Sequence, residues 1–173
     1  MDTNPAAATT GAFTTNGRPH SFTSITPFLV VPNAAAALEF YREVFGAMVG
    51  AVTEAPDADG ATIVAHAEVD FGTGRIQIGD PNPAYGLIAP AGDGHQTSYS
   101  MGIYVADVDA TTERAVARGA EVREPATTFV SGDRFASIID PFGLRWSIMT
   151  RVEDLSDEES AARVATWAAE QFG

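Results

Sequence analysis

The spacing of apolar residues changes from strand-like to helix-like early in the chain. Residues 24–31 read Ser-Ile-Thr-Pro-Phe-Leu-Val-Val, a short apolar run that predicts a strand. From Ala34 to Phe45 apolar side chains recur every three or four residues, the spacing along one face of an α-helix. Asn33 precedes this run and suits the N-cap, and Gly46 follows it and suits the left-handed residue that ends many helices.

The same order of elements returns in the second half of the chain. Residues 98–105 predict another strand, and the helix that follows is capped by Asp107 or Asp109 and ends near Arg118. Three further strands are predicted after each helix, near residues 49–54, 61–71 and 74–78 in the first half and near 121–130, 135–139 and 143–148 in the second. The repeat predicts an α+β fold made of two βαβββ modules.

The segments between these elements divide the chain. A stretch rich in Pro and Gly indicates a linker between the modules. The predicted parts are a mobile N-terminal tail (1–22), a paired domain (23–150) that holds module 1 (23–80), the linker (81–97) and module 2 (98–150), and a C-terminal helical extension (151–173).

The extension carries its own helix signals. Ser156 and Glu159 form a capping box, in which each residue's side chain bonds the other's backbone N–H. Val164, Trp167 and Ala168 give the predicted helix an apolar stripe. We expect this stripe to pack on the back of the sheet or on a partner subunit.

Composition excludes several functions. The chain has 23 acidic residues against 10 basic ones, a net charge of −13, which disfavours nucleic acid and anionic membranes and tolerates a cationic ligand. It has no cysteine and no lysine, so disulfides, thiolate metal sites and Schiff-base chemistry are excluded. No apolar run approaches the ~20 residues of a membrane span, and the start does not resemble a signal peptide. We therefore expect a cytoplasmic protein that has no membrane partner.

Three longer motifs point to a known family. "FYREVFGA", "VADVDATTERAVARGAEV" and "GDRFASIIDPFGLRWSI", in this order, resemble the vicinal oxygen chelate superfamily, which includes glyoxalase I, bleomycin- and fosfomycin-resistance proteins and extradiol dioxygenases. The resemblance covers about residues 24–150. The shorter strings "TPFLVV", "HAEV", "GDRF", "DPFG" and "RVEDLSDEE" look closest to its PhnB-like, glyoxalase-like branch. The resemblance implies a cup-shaped mixed sheet formed by both modules, and a homodimer with cups near the subunit interface.

The resemblance also implies where a metal ion would bind. In catalytic members the His, Glu or Gln ligands come from the first and last strands of each module and point into the cup. The corresponding positions here are Thr26 and Gln77 in module 1, and Ser100 and Ser147 in module 2. Neutral hydroxyls are weak ligands for such ions, and only Gln77 matches the pattern. We therefore expect no metal and no other cofactor, with these four side chains lining a ligand site instead.

The strand near residues 61–71 carries the candidate catalytic groups. Strand alternation puts His66 and Glu68 on one face, opposite an apolar face of Ile63, Ala65, Ala67 and Val69. If the apolar face meets the helices, His66 points into the cup as a general base that Glu68 could orient. The alternative is a structural histidine with a hydrogen-bonded ring.

Aromatic and basic side chains supply further ligand-binding candidates. Alternation directs Phe28 and Tyr104 into the cup, where they could stack on a guest, and Trp146 into the core. Arg134 could clamp a carboxylate or phosphonate. The alternative for Arg134 is an ion pair within its loop, with Asp133 or Asp140.

Two functions follow from these residues. The first is a small-molecule-binding protein of the resistance or sequestration type, without metal. The alternative is a metal-dependent lyase or isomerase of the glyoxalase type, or a dioxygenase-like enzyme, acting on a small carbonyl or aromatic substrate. A structural or interaction role for the C-terminal helix is a third, non-catalytic option, with no positive evidence beyond the extra length.

Overall fold

A computed structural model describes residues 7–91 and 94–173; the first six residues of the predicted tail, and Gly92 and Asp93 of the predicted linker, lie outside this part. The elements, in chain order, are β1 (Thr14–Thr15), β2 (Arg18–Pro19), β3 (Phe28–Val30), α1 (Ala34–Phe45), β4 (Met48–Pro56), β5 (Thr62–Asp70), β6 (Arg75–Gly79), a 3₁₀ turn (Pro83–Tyr85), β7 (Met101–Tyr104), α2 (Val108–Ala117), β8 (Glu121–Thr128), β9 (Asp133–Ile139), β10 (Arg145–Arg151) and α3 (Asp157–Phe172).

Two four-stranded mixed sheets carry the fold. The first has the strand order β3-β6-β5-β4, and the second has the same order, β7-β10-β9-β8. In each sheet the first and last strands of the module are parallel, and the other neighbours are antiparallel. The predicted α+β fold of two βαβββ modules with a C-terminal helix is confirmed. A two-stranded hairpin, β1-β2, precedes the first module.

The helix boundaries follow the capping residues. The Asn33 side chain accepts a bond from the backbone N–H of Ala36, and Gly46 closes α1 in the left-handed conformation. Asp107, not Asp109, caps α2, because its side chain accepts from the backbone N–H of Ala110. The predicted starts and ends of these helices are therefore confirmed within one or two residues.

The facing of β5 differs from the prediction at one end. Ala67 and Val69 are fully buried as expected, but the third buried side chain is Val64 and not Ala65. Thr53 of β4 pairs with His66, and the next β4 residue pairs with Val64, so Ala65 is an extra residue that shifts the alternation. Ala65 and Ile63, both predicted on the apolar face, therefore do not share it, whereas His66 stays on the opposite face, as predicted.

Helices α1 and α2 lie against one continuous apolar core that also contacts the second sheet. The Phe45 ring of α1 lies 4.7 Å from the Trp146 ring of β10. Tyr41 reaches the same region, and its hydroxyl donates a 2.9 Å hydrogen bond to Asp140. The helix-covered faces of the two sheets are therefore turned toward one core, and their other faces point away from it.

Asp140 is the polar centre of this core and is only 3% exposed. It accepts four hydrogen bonds of 2.9 Å, from the Tyr41 hydroxyl, the Trp146 indole and the backbone N–H groups of Phe142 and Leu144. Burial raises the pKa of Asp140, and the bonds oppose this rise. Burial, together with the nearby Asp140 carboxylate, raises the pKa of Tyr41 well above its usual value.

Helix α3 begins at the predicted capping box of Ser156 and Glu159, has no buried residue, and contacts the turn between β8 and β9. Its Ser160 hydroxyl donates to the Ser131 carbonyl in the turn between β8 and β9. Across the described ranges, we find no helix with the length and apolar character that a membrane crossing requires.

Candidate functional site

The side of the first sheet that points away from the helices forms the first polar face. Strand pairing sets Phe28, Gln77 and Glu68 in one row across β3, β6 and β5. The His66 ring lies two residues along β5, with its centroid 6.1 Å from that of Phe28. The first polar face consists of Phe28, His66, Glu68, Asp70, Arg75 and Gln77.

Arg75 organises the end of this face. Its guanidinium donates 2.7 Å bonds to both Glu68 and Asp70, and its side chain is only 12% exposed. The Phe22 ring stacks on the guanidinium, 4.6 Å from its centre, and so covers it from the N-terminal side. A backbone bond from Gly72 and the Arg75 bond lower the pKa of Asp70. Glu68, which we expected to orient His66, is therefore engaged by Arg75.

The corresponding side of the second sheet forms the second polar face. Its central row is Gly102, Ser147, Ser137 and Glu124, and the next row is Tyr104, Met149, Phe135 and Thr127. The Ser100 and Ser147 hydroxyls lie 3.1 Å apart and share a hydrogen bond. The second polar face consists of these two rows together with Ser100, Asp133, Arg145 and Arg151.

A concave region of about 420 Å³ lies on the second polar face. It is lined by Glu124, Thr127, Phe129, Ser131, Asp133, Phe135 and Met149. At its edge Asp133 accepts bonds from Arg151 at 2.8 Å and Ser131 at 2.9 Å, and a longer one from Tyr104 at 3.4 Å. The Asp133 bond raises the pKa of Arg151. The region therefore offers aromatic and thioether surface beside a carboxylate whose position is fixed.

Strand register relates the mapped positions of one module to those of the other. Phe28 lies opposite Gln77 and Gly102 opposite Ser147, so the two modules are equivalent at these points. Thr26 lies two residues before Phe28, and Ser100 lies two residues before Gly102, so both come just ahead of the first strands of their modules, β3 and β7. Nothing in this set supplies a charge or an imidazole.

The donor set does not fit a divalent transition-metal ion. Such ions take imidazole nitrogen, thiolate or carboxylate ligands, whereas these positions hold three hydroxyls and one amide. The Ser100 and Ser147 hydroxyls use each other as partners, and the Thr26 hydroxyl donates to the Thr23 carbonyl at 3.4 Å. Within residues 7–91 and 94–173, no group of three or more His, Cys, Asp or Glu side chains is placed to hold a metal ion.

Arg134 lies apart from the other candidates. Its β9 neighbours Asp133 and Phe135 belong to the second polar face, so Arg134 points to the helix side. There its guanidinium makes two bonds of 2.6 and 2.7 Å to Asp109 of α2. The structure therefore places Arg134 in an ion pair with Asp109, away from Ser147 and Tyr104.

Arg145 lies at the end of the second polar face where β10 begins. Arg145 occupies the position equivalent to Arg75, two residues before Ser147 as Arg75 is before Gln77. Its guanidinium donates to the backbone carbonyls of Gly94 and His95, so it holds the lead-in to β7. The sequence signal for both arginines is their repeated place on the last strand of each module, on its cup side.

In the described part of the chain, the two polar faces make no direct bond to each other. The concave region on the second face is lined only by residues of module 2. For the part of the chain that the structure describes, no hydrogen bond, ion pair or ring contact joins a residue of one face to a residue of the other. Where the modules meet, a concave region of about 280 Å³ is lined by Arg75 of the first polar face and by Gly102 and Tyr104 of the second, so the two faces adjoin there without bonding each other.

Comparison with known proteins is consistent with this architecture. The model of the Glyoxalase/Bleomycin resistance protein/Dioxygenase superfamily matches residues 9–148. An uncharacterized protein of Mycobacterium tuberculosis is 29% identical over 143 residues, which cover 83% of each chain.

Solved structures share the fold at low sequence identity. TioX from Micromonospora sp. ML1 is 22% identical, with a TM-score of 0.55, covering 75% of this chain and 98% of its own. The fosfomycin resistance protein FosX from Listeria monocytogenes is 15% identical, with a TM-score of 0.56, covering 80% of this chain and 94% of its own; its crystals contain Mn(II) and a dihydroxypropylphosphonic acid.

Proposed function

The chain belongs to the glyoxalase/bleomycin resistance protein/dioxygenase superfamily, and from this premise we propose that it binds a small aromatic molecule without a metal ion. The guest lies in a cup that the polar faces of two subunits complete. This is a role of the resistance or sequestration type.

The observation that carries the proposal is the hydroxyl pair at the metal positions. Ser100 and Ser147 bond each other across 3.1 Å and carry no charge, in the place where a catalytic relative would hold a cation. FosX, by contrast, binds Mn(II). A neutral floor of this kind suits an organic guest, because it supplies hydrogen bonds without the charge that a metal ion requires.

The lining of the faces supports an aromatic guest. Phe129, Phe135 and Met149 contribute apolar surface to the concave region. On the other face, the Phe28 ring is 36% exposed beside His66. Aromatic rings of a guest gain stacking energy on such surfaces in addition to their apolar burial.

The charge distribution supports a cationic guest. The first polar face sets two carboxylates, Glu68 and Asp70, against the single guanidinium of Arg75. The whole chain carries a net charge of −13, which attracts cations and repels anions at long range. An aromatic cation therefore matches both the aromatic surface of the faces and the negative charge of the chain.

The outward direction of the two faces supports a homodimer. A small-molecule site normally buries most of its ligand, and one open face cannot do so. Tyr104 of the second polar face is 58% exposed, and β3 and β7 each have strand neighbours on one side only. The first face of one subunit, set against the second face of its partner, gives two enclosed cups per dimer.

The proposal predicts selective binding of aromatic cations. We expect ethidium, a flat monocation, to bind at micromolar concentration, and anilinonaphthalene sulfonate, a flat anion, to bind at least about tenfold more weakly. Isothermal titration calorimetry measures both affinities. A higher salt concentration should reduce the difference in affinity between the two probes, because salt screens their interaction with the charge of the protein. Analytical ultracentrifugation of the same sample should show a dimer.

Two results would contradict the proposal. One is the absence of saturable binding across a panel of aromatic cations, combined with turnover of a thioester or carbonyl substrate. The other is a monomer that binds its guest as tightly as the proposal expects of the dimer.

The alternative function is the metal-dependent glyoxalase-type or dioxygenase-like enzyme. The observation in its favour is His66, which lies half-buried on the first polar face beside Phe28. The engagement of Glu68 by Arg75 weighs against it, because that carboxylate is already committed to an ion pair. Stoichiometric metal in purified protein would favour this alternative.

A further inference from the structure

We propose that Trp167 of α3 is a positioning residue, which holds Phe129 as the end wall of the second polar face and so favours large, flat guests over small ones. The inference rests on the proposed function, because it concerns the selectivity of the same site. It concerns a part of the chain that the superfamily model does not match, since that match ends at residue 148 and α3 begins at Asp157.

Phe129 connects the helix to the site. It lies in the turn between β8 and β9, and its ring lines the concave region together with Phe135 and Met149. The Trp167 ring packs on it with centroids 4.9 Å apart and an interplanar angle of 80°. This perpendicular arrangement is favourable for two aromatic rings and fixes the ring plane of Phe129 relative to α3.

Further contacts fix α3 on the same turn. The Ser160 hydroxyl donates a 2.9 Å bond to the Ser131 carbonyl. Arg163 pairs at 2.8 Å with Glu153, which follows β10 and whose backbone N–H donates to the Gly132 carbonyl of the turn at 3.2 Å. Gly132 at the centre of the turn is buried, and a side chain there would meet Leu155 at 2.8 Å. The helix and the turn are therefore linked at more than one point, and Trp167 contacts the aromatic residue that reaches the site.

The consequence for binding depends on guest size. A guest with several fused rings extends along the concave region to Phe129 and gains from a wall that is already ordered. A guest with one ring can bind over Phe135 and Met149 without reaching the wall. Trp167 should therefore influence affinity for the first kind of guest and leave the second unaffected.

The test compares two cationic probes. In the Trp167→Ala variant of the full chain, we expect the Kd of ethidium to rise about three- to tenfold, and that of phenyltrimethylammonium to change less than about twofold. Trp167→Phe keeps a ring against Phe129 and should restore most of the ethidium affinity. Tyr85→Ala, which removes an exposed aromatic side chain from the linker, is the matched control and should change neither.

Each outcome decides the inference. Equal weakening of both probes would show a merely structural role and overturn it, as would unchanged affinity for both. If the alanine variant loses the wild-type circular dichroism spectrum, Phe129→Leu removes the wall directly and must produce the same selective loss. If wild-type protein binds neither probe, the proposed function fails and this inference fails with it. If wild-type protein binds both probes and the Trp167→Ala variant shows no selective loss, only this inference fails.

Discussion

Replacing Asp140 with alanine is expected to lower the free energy of unfolding by roughly 4 kcal/mol or more. The substitution removes the acceptor of four hydrogen bonds inside the core and leaves the Tyr41 hydroxyl, the Trp146 indole and two backbone N–H groups without it. Each buried donor without an acceptor costs about 1–3 kcal/mol. The whole chain is expected to hold only about 5–15 kcal/mol, so the variant should be close to unfolding.

Urea unfolding at one fixed protein concentration measures this loss, since the proposed dimerisation would make apparent stability depend on concentration. Asp140→Asn keeps an acceptor oxygen and should lose less. Asp59→Ala, in the exposed turn before β5, should change stability by less than about 0.5 kcal/mol. A loss below about 1.5 kcal/mol for Asp140→Ala would show that the hydrogen bonds to Asp140 are not what holds α1 to the second module.

Replacing Ser147 with arginine is expected to reduce ethidium affinity at least about 100-fold. Ser147 is half-buried at the centre of the second polar face, between Gly102 of β7 and Ser137 of β9. The longer side chain would fill the space over this row, and its charge would repel a cationic guest. Both effects act in the same direction, which is why we expect the largest loss of binding at this position.

Calorimetric titration of ethidium measures this effect, and two controls separate its causes. Ser147→Ala removes only the hydroxyl and should stay within about tenfold of the wild type, the value of one neutral hydrogen bond. Ala58→Arg adds the same charge on the exposed β4-β5 turn and tests the contribution of net charge alone. Undiminished ethidium binding by Ser147→Arg would place the site elsewhere on the molecule.

Local signals predicted the helices because capping is decided by residues a few positions apart. Asn33 and Gly46 mark the start and the end of α1, and Ser156 with Glu159 marks the start of α3, as their spacing predicted. The two-residue alternation also placed Phe28 and Gln77 on one face, since the register of β3 and β6 preserves it.

Contacts between distant parts of the chain decided what the sequence could not show. Ala65 becomes an extra residue in β5 only through pairing with β4, so the periodicity of β5 alone gave it the wrong face. Arg134 binds Asp109, 25 residues away, because α2 packs against β9. The choice of partner for Glu68 likewise depends on the register of β5 against β6, which brings Arg75 within reach.

Native mass spectrometry of freshly purified protein tests the central claim most directly, because one spectrum reports subunit number, metal content and bound guest. We expect the mass of two metal-free chains, which increases by up to two ethidium molecules when the probe is added. A dimer or monomer whose mass includes one zinc, nickel or manganese ion per site, lost only with a strong chelator, would contradict a metal-free guest-binding cup.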